Sequence, residues 1–130
     1  MLYRSKSYPL ALAGAAFTFV FVLLTLSGTG RAQDAGSGQQ LFEKRCGGCH
    51  AMDRDKEGPR LAGVYGRVSG SVESFTYSGA LKGAHITWDS DSLDKWLSGP
   101  DKLVPENEMA FHVENAGERS AIIEYLKEVR

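Results

Sequence analysis

Cys46-Gly47-Gly48-Cys49-His50 places two thiols and an imidazole within one turn of chain. Two thiols separated by two residues can add to the two vinyl groups of a haem and fix one edge of the ring. The histidine that follows then lies under the iron and offers it a ring nitrogen. Gly47 and Gly48 let the backbone turn tightly beside the ring. The other readings of such a pair are a structural disulfide, a thiol redox couple or half of a zinc site. A zinc site needs further Cys or His at suitable spacing, and the chain has 2 cysteines in all. A thiol redox couple needs a βαβ context, which the pattern around residue 46 lacks. Covalent haem on Cys46 and Cys49, with His50 as an iron ligand, uses all three residues.

An iron that only exchanges electrons benefits from a closed, six-coordinate shell that barely rearranges. The candidates for the sixth position are Met109, His85 and His112. Met52 is two residues past His50, too near to reach the other face. Met109 sits in Val104-Pro105-Glu106-Asn107-Glu108-Met109-Ala110-Phe111, a connection between helices. A thioether there would raise the potential relative to a second imidazole. Its competing role is to fill a core gap, the commoner fate of methionine.

The elements that must position these groups are short. A helix is predicted at about residues 38–45, with Leu41 and Phe42 inward, after a polar linker at 33–37 in which Ser37 and Gln40 resemble a capping box. Residues 51–78 carry glycines, serines and a proline without sustained period. So long an irregular segment is unusual in a compact domain, and a haem on which loops can pack resolves the conflict. Residues 78–82 suit a helical turn. Asp89 or Ser90 can cap a helix at 91–98, where Leu93, Trp96 and Leu97 share a face, and Gly99-Pro100 ends it. The last helix runs from about 117 to 129, started by Asn115 and Glu118, with Ile122, Ile123, Leu126 and Val129 apolar. Strand patterns and repeats are absent. The predicted class is all-α: three to five short helices and long loops wrapped around one covalently bound haem.

The N-terminal part has a different composition. Arg4 and Lys6 precede an uncharged stretch from 7 to 30, nearly all apolar between 10 and 26, and Gly30-Arg31-Ala32 places small residues where a signal peptidase reads. Residues 1–32 are expected to be a signal peptide cleaved after Ala32 or a retained N-terminal membrane anchor, since about 20 apolar residues span a bilayer. Residues 33–130 form the single remaining domain. Removing Arg4, Lys6 and Arg31 leaves 12 basic against 16 acidic residues, a net charge of −4. No basic patch for nucleic acid is implied.

Taken in order along residues 38–129, the motifs resemble the class I c-type cytochromes of the mitochondrial and bacterial soluble type. Gly38-Gln39-Gln40-Leu41-Phe42 precedes the haem motif. Gly58-Pro59-Arg60-Leu61, Gly66-Arg67 and Phe75-Thr76-Tyr77-Ser78 follow, then Ile86-Thr87-Trp88, Pro100, Pro105, Met109-Ala110-Phe111 and Tyr125-Leu126-Lys127. The resemblance implies Met109 as the second axial ligand. It implies that the Pro59 carbonyl accepts a hydrogen bond from His50, which fixes the ring's orientation and basicity. It puts Arg67, Tyr77 and Trp88 at the haem propionates, Phe111 over the haem edge, and Gly38 and Phe42 against Tyr125 and Leu126 where the terminal helices cross. Taken without the resemblance, Arg67 reads as a surface charge, and Tyr77 and Trp88 as core aromatics. The chain also departs from the family pattern. Glu106 replaces a glycine, Glu108 a common lysine, Trp96 a tyrosine inside the pocket and Leu81 a frequent asparagine, and the loop after His50 is a few residues shorter than in mitochondrial relatives.

What this implies is a non-enzymatic, monomeric single-electron carrier of the periplasm, soluble or tethered through residues 7–30. The expected donor is a quinol–cytochrome c oxidoreductase or a dehydrogenase, and the expected acceptor a terminal oxidase. The alternatives are a five-coordinate haem enzyme or ligand-binding protein, with Met109 off the iron, and a fixed haem subunit of a larger redox complex.

Overall fold

The computed structural model describes residues 30–130, with side chains from Ser37 onward. The expected signal or anchor therefore lies almost wholly outside the described residues. Five helices follow: α1 Gly30–Arg45, α2 Gly79–Gly83, α3 Ser90–Ser98, α4 Pro100–Leu103 and α5 Ala116–Glu128. No helix among the described residues is long and apolar enough to cross a membrane.

The longer helices carry local start signals. At α3 the Asp89 carboxylate accepts from Ser92 N while the Ser92 hydroxyl accepts from Asp89 N, a reciprocal cap. At α5 the Asn115 side chain accepts from Glu118 N at 3.0 Å. Helix α1 differs from expectation. It begins at Gly30, so residues 33–37 form helical turns instead of a linker, and Ser37 stands inside the helix instead of capping it. Once packing holds the second half of a helix, each added residue gains a hydrogen bond at little further cost. Helix α4 is also unexpected. Gly99 ends α3, donating to Lys95 O and Trp96 O, and Pro100 then begins a new turn, a position where its missing N–H costs nothing.

The irregular stretch between α1 and α2 acquires order by pairing with residues before α3. Ser69 N donates to Ile86 O at 2.7 Å, Trp88 N to Arg67 O at 2.9 Å and Gly66 N to Trp88 O at 2.7 Å. An isolated antiparallel bridge joins Val68 and Thr87, so Arg67 and Trp88 become neighbours.

The core joins Phe42 of α1, Leu93, Trp96 and Leu97 of α3, and Ile122, Ile123 and Leu126 of α5. Val129, expected on the same face, is half-buried, and its carbonyl accepts from Gly63 N at 2.9 Å. Phe42 and Tyr125 stack tilted, with centroids 5.7 Å apart. Where α1 meets α5, a Cβ on Gly38 would come 2.2 Å from Ala121 O and 2.9 Å from Tyr125 Cβ. A backbone carbonyl cannot swing aside. Gly38→Leu is expected to lower stability by at least about 1–3 kcal/mol through overpacking, read as a fall in thermal midpoint. An unchanged midpoint would place the crossing elsewhere.

Candidate haem-binding site

A cavity of about 400 Å³ opens between these elements. Cys46, Cys49 and His50 line it from the turn that follows α1. Pro59, Arg67 and Tyr77 line it from the long connection, Trp88 from the segment before α3, and Met109 and Phe111 from the connection between α4 and α5. The three residues of the haem motif and the six placed around the haem by the resemblance all face this one space. Of the three candidates for the sixth iron ligand, only Met109 lines it. His85 is exposed on a turn at φ 51°, and His112 is exposed, 3.7 Å from Glu114.

The turn that carries the cysteines continues α1. Cys46 N donates to Phe42 O at 2.7 Å, and Cys49 N and His50 N both donate to Cys46 O, at 3.0 and 2.9 Å. Gly47 is required here, since a Cβ would meet Glu43 O at 2.6 Å; Gly48 has nothing within 4 Å, so the close approach falls on one glycine of the pair. Both thiols are free. Burial, with a smaller effect from Cys49 beside it, pushes the Cys46 thiol up to about 11. A thiol redox couple needs a lowered pKa, and burial acts on Cys46 in the opposite direction.

His50 is held from behind. Its Nδ1 lies 2.8 Å from Pro59 O. A carbonyl only accepts, so Nδ1 carries the proton and Nε2 keeps its lone pair. Burial lowers the imidazole's pKa, against an opposing effect of the Pro59 bond; the ring stays neutral, the form that binds metal. Pro59 is itself fixed. Arg60 N donates to Asp55 Oδ1 at 2.8 Å, and Ser74 Oγ donates to Asp55 Oδ2 at 2.6 Å. The Arg67 guanidinium donates to Ala62 O at 3.0 Å and to Arg60 O at 2.9 Å. Burial lowers the pKa of Arg67 and raises that of Tyr77, each partly offset by the other. Half-buried Arg67 thus serves the loop backbone while lining the cavity, and is more than a surface charge.

Met109 is contacted at both ends. Its sulfur accepts from Trp96 Nε1 at 3.2 Å, and its N–H donates to Asn107 Oδ1 at 2.7 Å. The downstream part of the same connection is fastened by Arg119, which pairs with Asp94 of α3 at 2.7 Å and donates to Val113 O and Glu114 O at 3.0 and 2.8 Å. The sequence reading missed Asn107 and Arg119, and it placed Trp96 in the pocket without its sulfur contact. An asparagine two residues before a loop position is a signal for a side-chain-closed turn. Arg119 carries no such local mark.

These residues fit a covalently held haem. Two thiols flank a neutral imidazole whose Nε2 lone pair is free, a thioether lines the same apolar cavity, and Gly58 leaves room for the His50 ring, since a Cβ there would fall 2.2 Å from Cε1. Geometry of this kind defines a small c-type haem protein.

The cytochrome c family model matches residues 35–130. A cytochrome c of Euglena viridis is 44% identical over 100 residues, covering 75% of this chain and 98% of that protein. One from Chlamydomonas reinhardtii is 39% identical over 101 residues, covering 75% and 91%. Among solved structures, cytochrome cH from Methylobacterium extorquens superposes with a TM-score of 0.69 at 36% identity, covering 72% of this chain and 97% of that one. The chain belongs to the cytochrome c family, binds haem c covalently and is a haem-based electron carrier.

Proposed function

We propose that this protein is a mobile single-electron shuttle outside the cytoplasm, with His50 and Met109 as the axial ligands of its iron. The observation that carries the ligand set is that Met109, alone of the three candidates, lines the cavity shared with His50. Bound haem supplies reversible one-electron Fe(III)/Fe(II) exchange. The chain's part is to hold a neutral imidazole through Pro59, to supply a thioether that favours the reduced iron, and to enclose both in apolar walls. Phe111 and Val68 line the cavity and are each 42% exposed, which supports an edge where a partner approaches. The segment at residues 1–32 supports export to the periplasm by the signal-peptide or anchor route. The donor is a quinol–cytochrome c oxidoreductase or a dehydrogenase, and the acceptor a terminal oxidase.

Charge at the cavity rim decides how such partners meet. Glu57 and Glu108 line it, and Arg45 is neutralised by Glu118 at 2.9 Å. A rim of mixed sign steers weakly, and salt has little field to screen. Oxidation of the reduced protein by an oxidase with an acidic docking face is therefore expected to be slow and to fall only mildly as ionic strength rises, followed by stopped-flow absorbance. Fast transfer at low salt that collapses when salt is added would reveal a strongly basic face and overturn this account of docking.

A further inference from the structure

We propose that Asn107 is the positioning residue for Met109, tying its backbone to α4 and thereby setting how readily the thioether leaves the iron. The inference rests on Met109 being the second axial ligand.

Between α4 and α5 the chain has no regular structure to hold position 109. The Met109 N–H is instead taken by a side chain, Asn107 Oδ1 at 2.7 Å, which closes a turn across two residues. The other end of the same amide donates twice. Nδ2 lies 2.8 Å from Val104 O and 2.9 Å from Asp101 Oδ1. The amide's orientation is thus fixed by its partners, since one side faces a donor and the other two acceptors. Asp101 belongs to α4, so one rigid group links the ligand's backbone to a helix. Just before it, Glu106 stands at φ 64°, a conformation that side-chain-bearing residues adopt reluctantly and that persists only where neighbouring bonds impose it. The Trp96 indole meets the other end of the methionine, at its sulfur. Without the Asn107 amide, the backbone at 109 would lose its partner while the turn upstream remained unfavourable. The result would be a methionine that spends more time away from the site in an otherwise intact fold.

The test uses ferric holoprotein. Cyanide captures the iron when the axial methionine is off, and a weak absorption band near the red end of the ferric spectrum reports the thioether–iron bond. Asn107→Ala is expected to raise the cyanide-binding rate about tenfold, the factor that corresponds to losing one hydrogen bond with its partner left unsatisfied, and to weaken the band. Asp101→Asn still offers a side-chain oxygen to Asn107 Nδ2 and leaves the bonds to Val104 O and Met109 N in place, and is expected to keep a rate close to wild type. Gly38→Ala, which loosens the distant crossing of α1 and α5, is expected to lower the thermal midpoint without raising the rate. The proposal fails if Asn107→Ala binds cyanide at the wild-type rate with its band intact. It also fails if Asp101→Asn is as fast as Asn107→Ala, or if Gly38→Ala raises the rate equally for the same loss of midpoint. A wild-type protein without the band would instead remove Met109 from the iron, so failure of the ligand assignment is distinguishable from failure of the positioning role.

Discussion

Gly58→Ala is expected to displace His50 and to yield a protein that attaches or holds haem poorly. The Cβ would stand 2.2 Å from His50 Cε1, 2.7 Å from Nδ1 and 2.8 Å from Nε2, against the whole edge of the ring. Neither side can move cheaply. Gly58 N donates to Cys49 O at 2.8 Å, and His50 is fixed by its own N–H to Cys46 O at 2.9 Å and by Nδ1 to Pro59 O. If the ring turns away, it loses the bond that keeps Nδ1 protonated and Nε2 available. If the loop retreats, it pulls on Arg60, which Asp55 and Arg67 hold. Overpacking of this kind costs about 1–3 kcal/mol, and a lost, partly buried hydrogen bond adds about 1 kcal/mol. Denaturant unfolding, together with the haem content and ferrous spectrum of exported protein, measures the effect. Gly48→Ala is the comparison, because its Cβ would meet nothing within 4 Å and should leave the haem site as it is. Equal behaviour of the two variants would show that the His50 ring tolerates a neighbour at position 58.

Much of this site is legible in the sequence because its chemistry is local. The spacing of Cys46, Cys49 and His50 follows from the ring they hold, and their geometry follows from a helix end. Helices α3 and α5 declare themselves through Asp89 and Asn115 at their starts and through apolar spacing along their length. What escapes is non-local or ambiguous. Gly99-Pro100 looks the same whether it stops a helix or separates two. The pairing of residues 66–69 with 86–88 joins segments about twenty positions apart and leaves no alternating pattern, since much of each segment faces the haem cavity or the core. Arg119 reaches Asp94 across 25 positions, and a side chain bound to backbone carbonyls has no periodicity to betray it. Glu106 is the reverse case. Its departure from the family's glycine is visible in sequence, and the structure shows the consequence, a left-handed residue with a side chain in the loop that presents Met109. Trp96, which stands where the family pattern has a tyrosine, is likewise visible in sequence as a departure. The indole places an N–H donor at the sulfur, so Trp96 contributes a hydrogen bond to Met109 as well as packing in the core.

Met109→Ala, on the ligand assignment proposed above, is expected to open one axial position of the iron. Three effects should coincide. The red-end ferric band should vanish, since no thioether remains. The reduction potential should fall, because a soft sulfur ligand favours Fe(II) and its loss removes that preference. Cyanide and carbon monoxide should bind faster than to any Asn107 variant, because a misplaced methionine still returns to the iron and a deleted one does not. A structural cost accompanies these. Met109 is half-buried against the core, so the truncation should cost about 2 kcal/mol, the lower end for a methionine. It also strips Trp96 Nε1 of its acceptor. A core-filling methionine would show the stability loss alone, with spectrum, potential and ligand-binding rates unchanged. Redox titration and stopped-flow cyanide binding on the same preparation therefore separate the two roles. If the potential and spectrum match wild type while stability drops, the sixth ligand is another group, and since His85 and His112 both lie outside the cavity, the connection between α2 and α3 or that between α4 and α5 would have to rearrange on haem attachment to supply it.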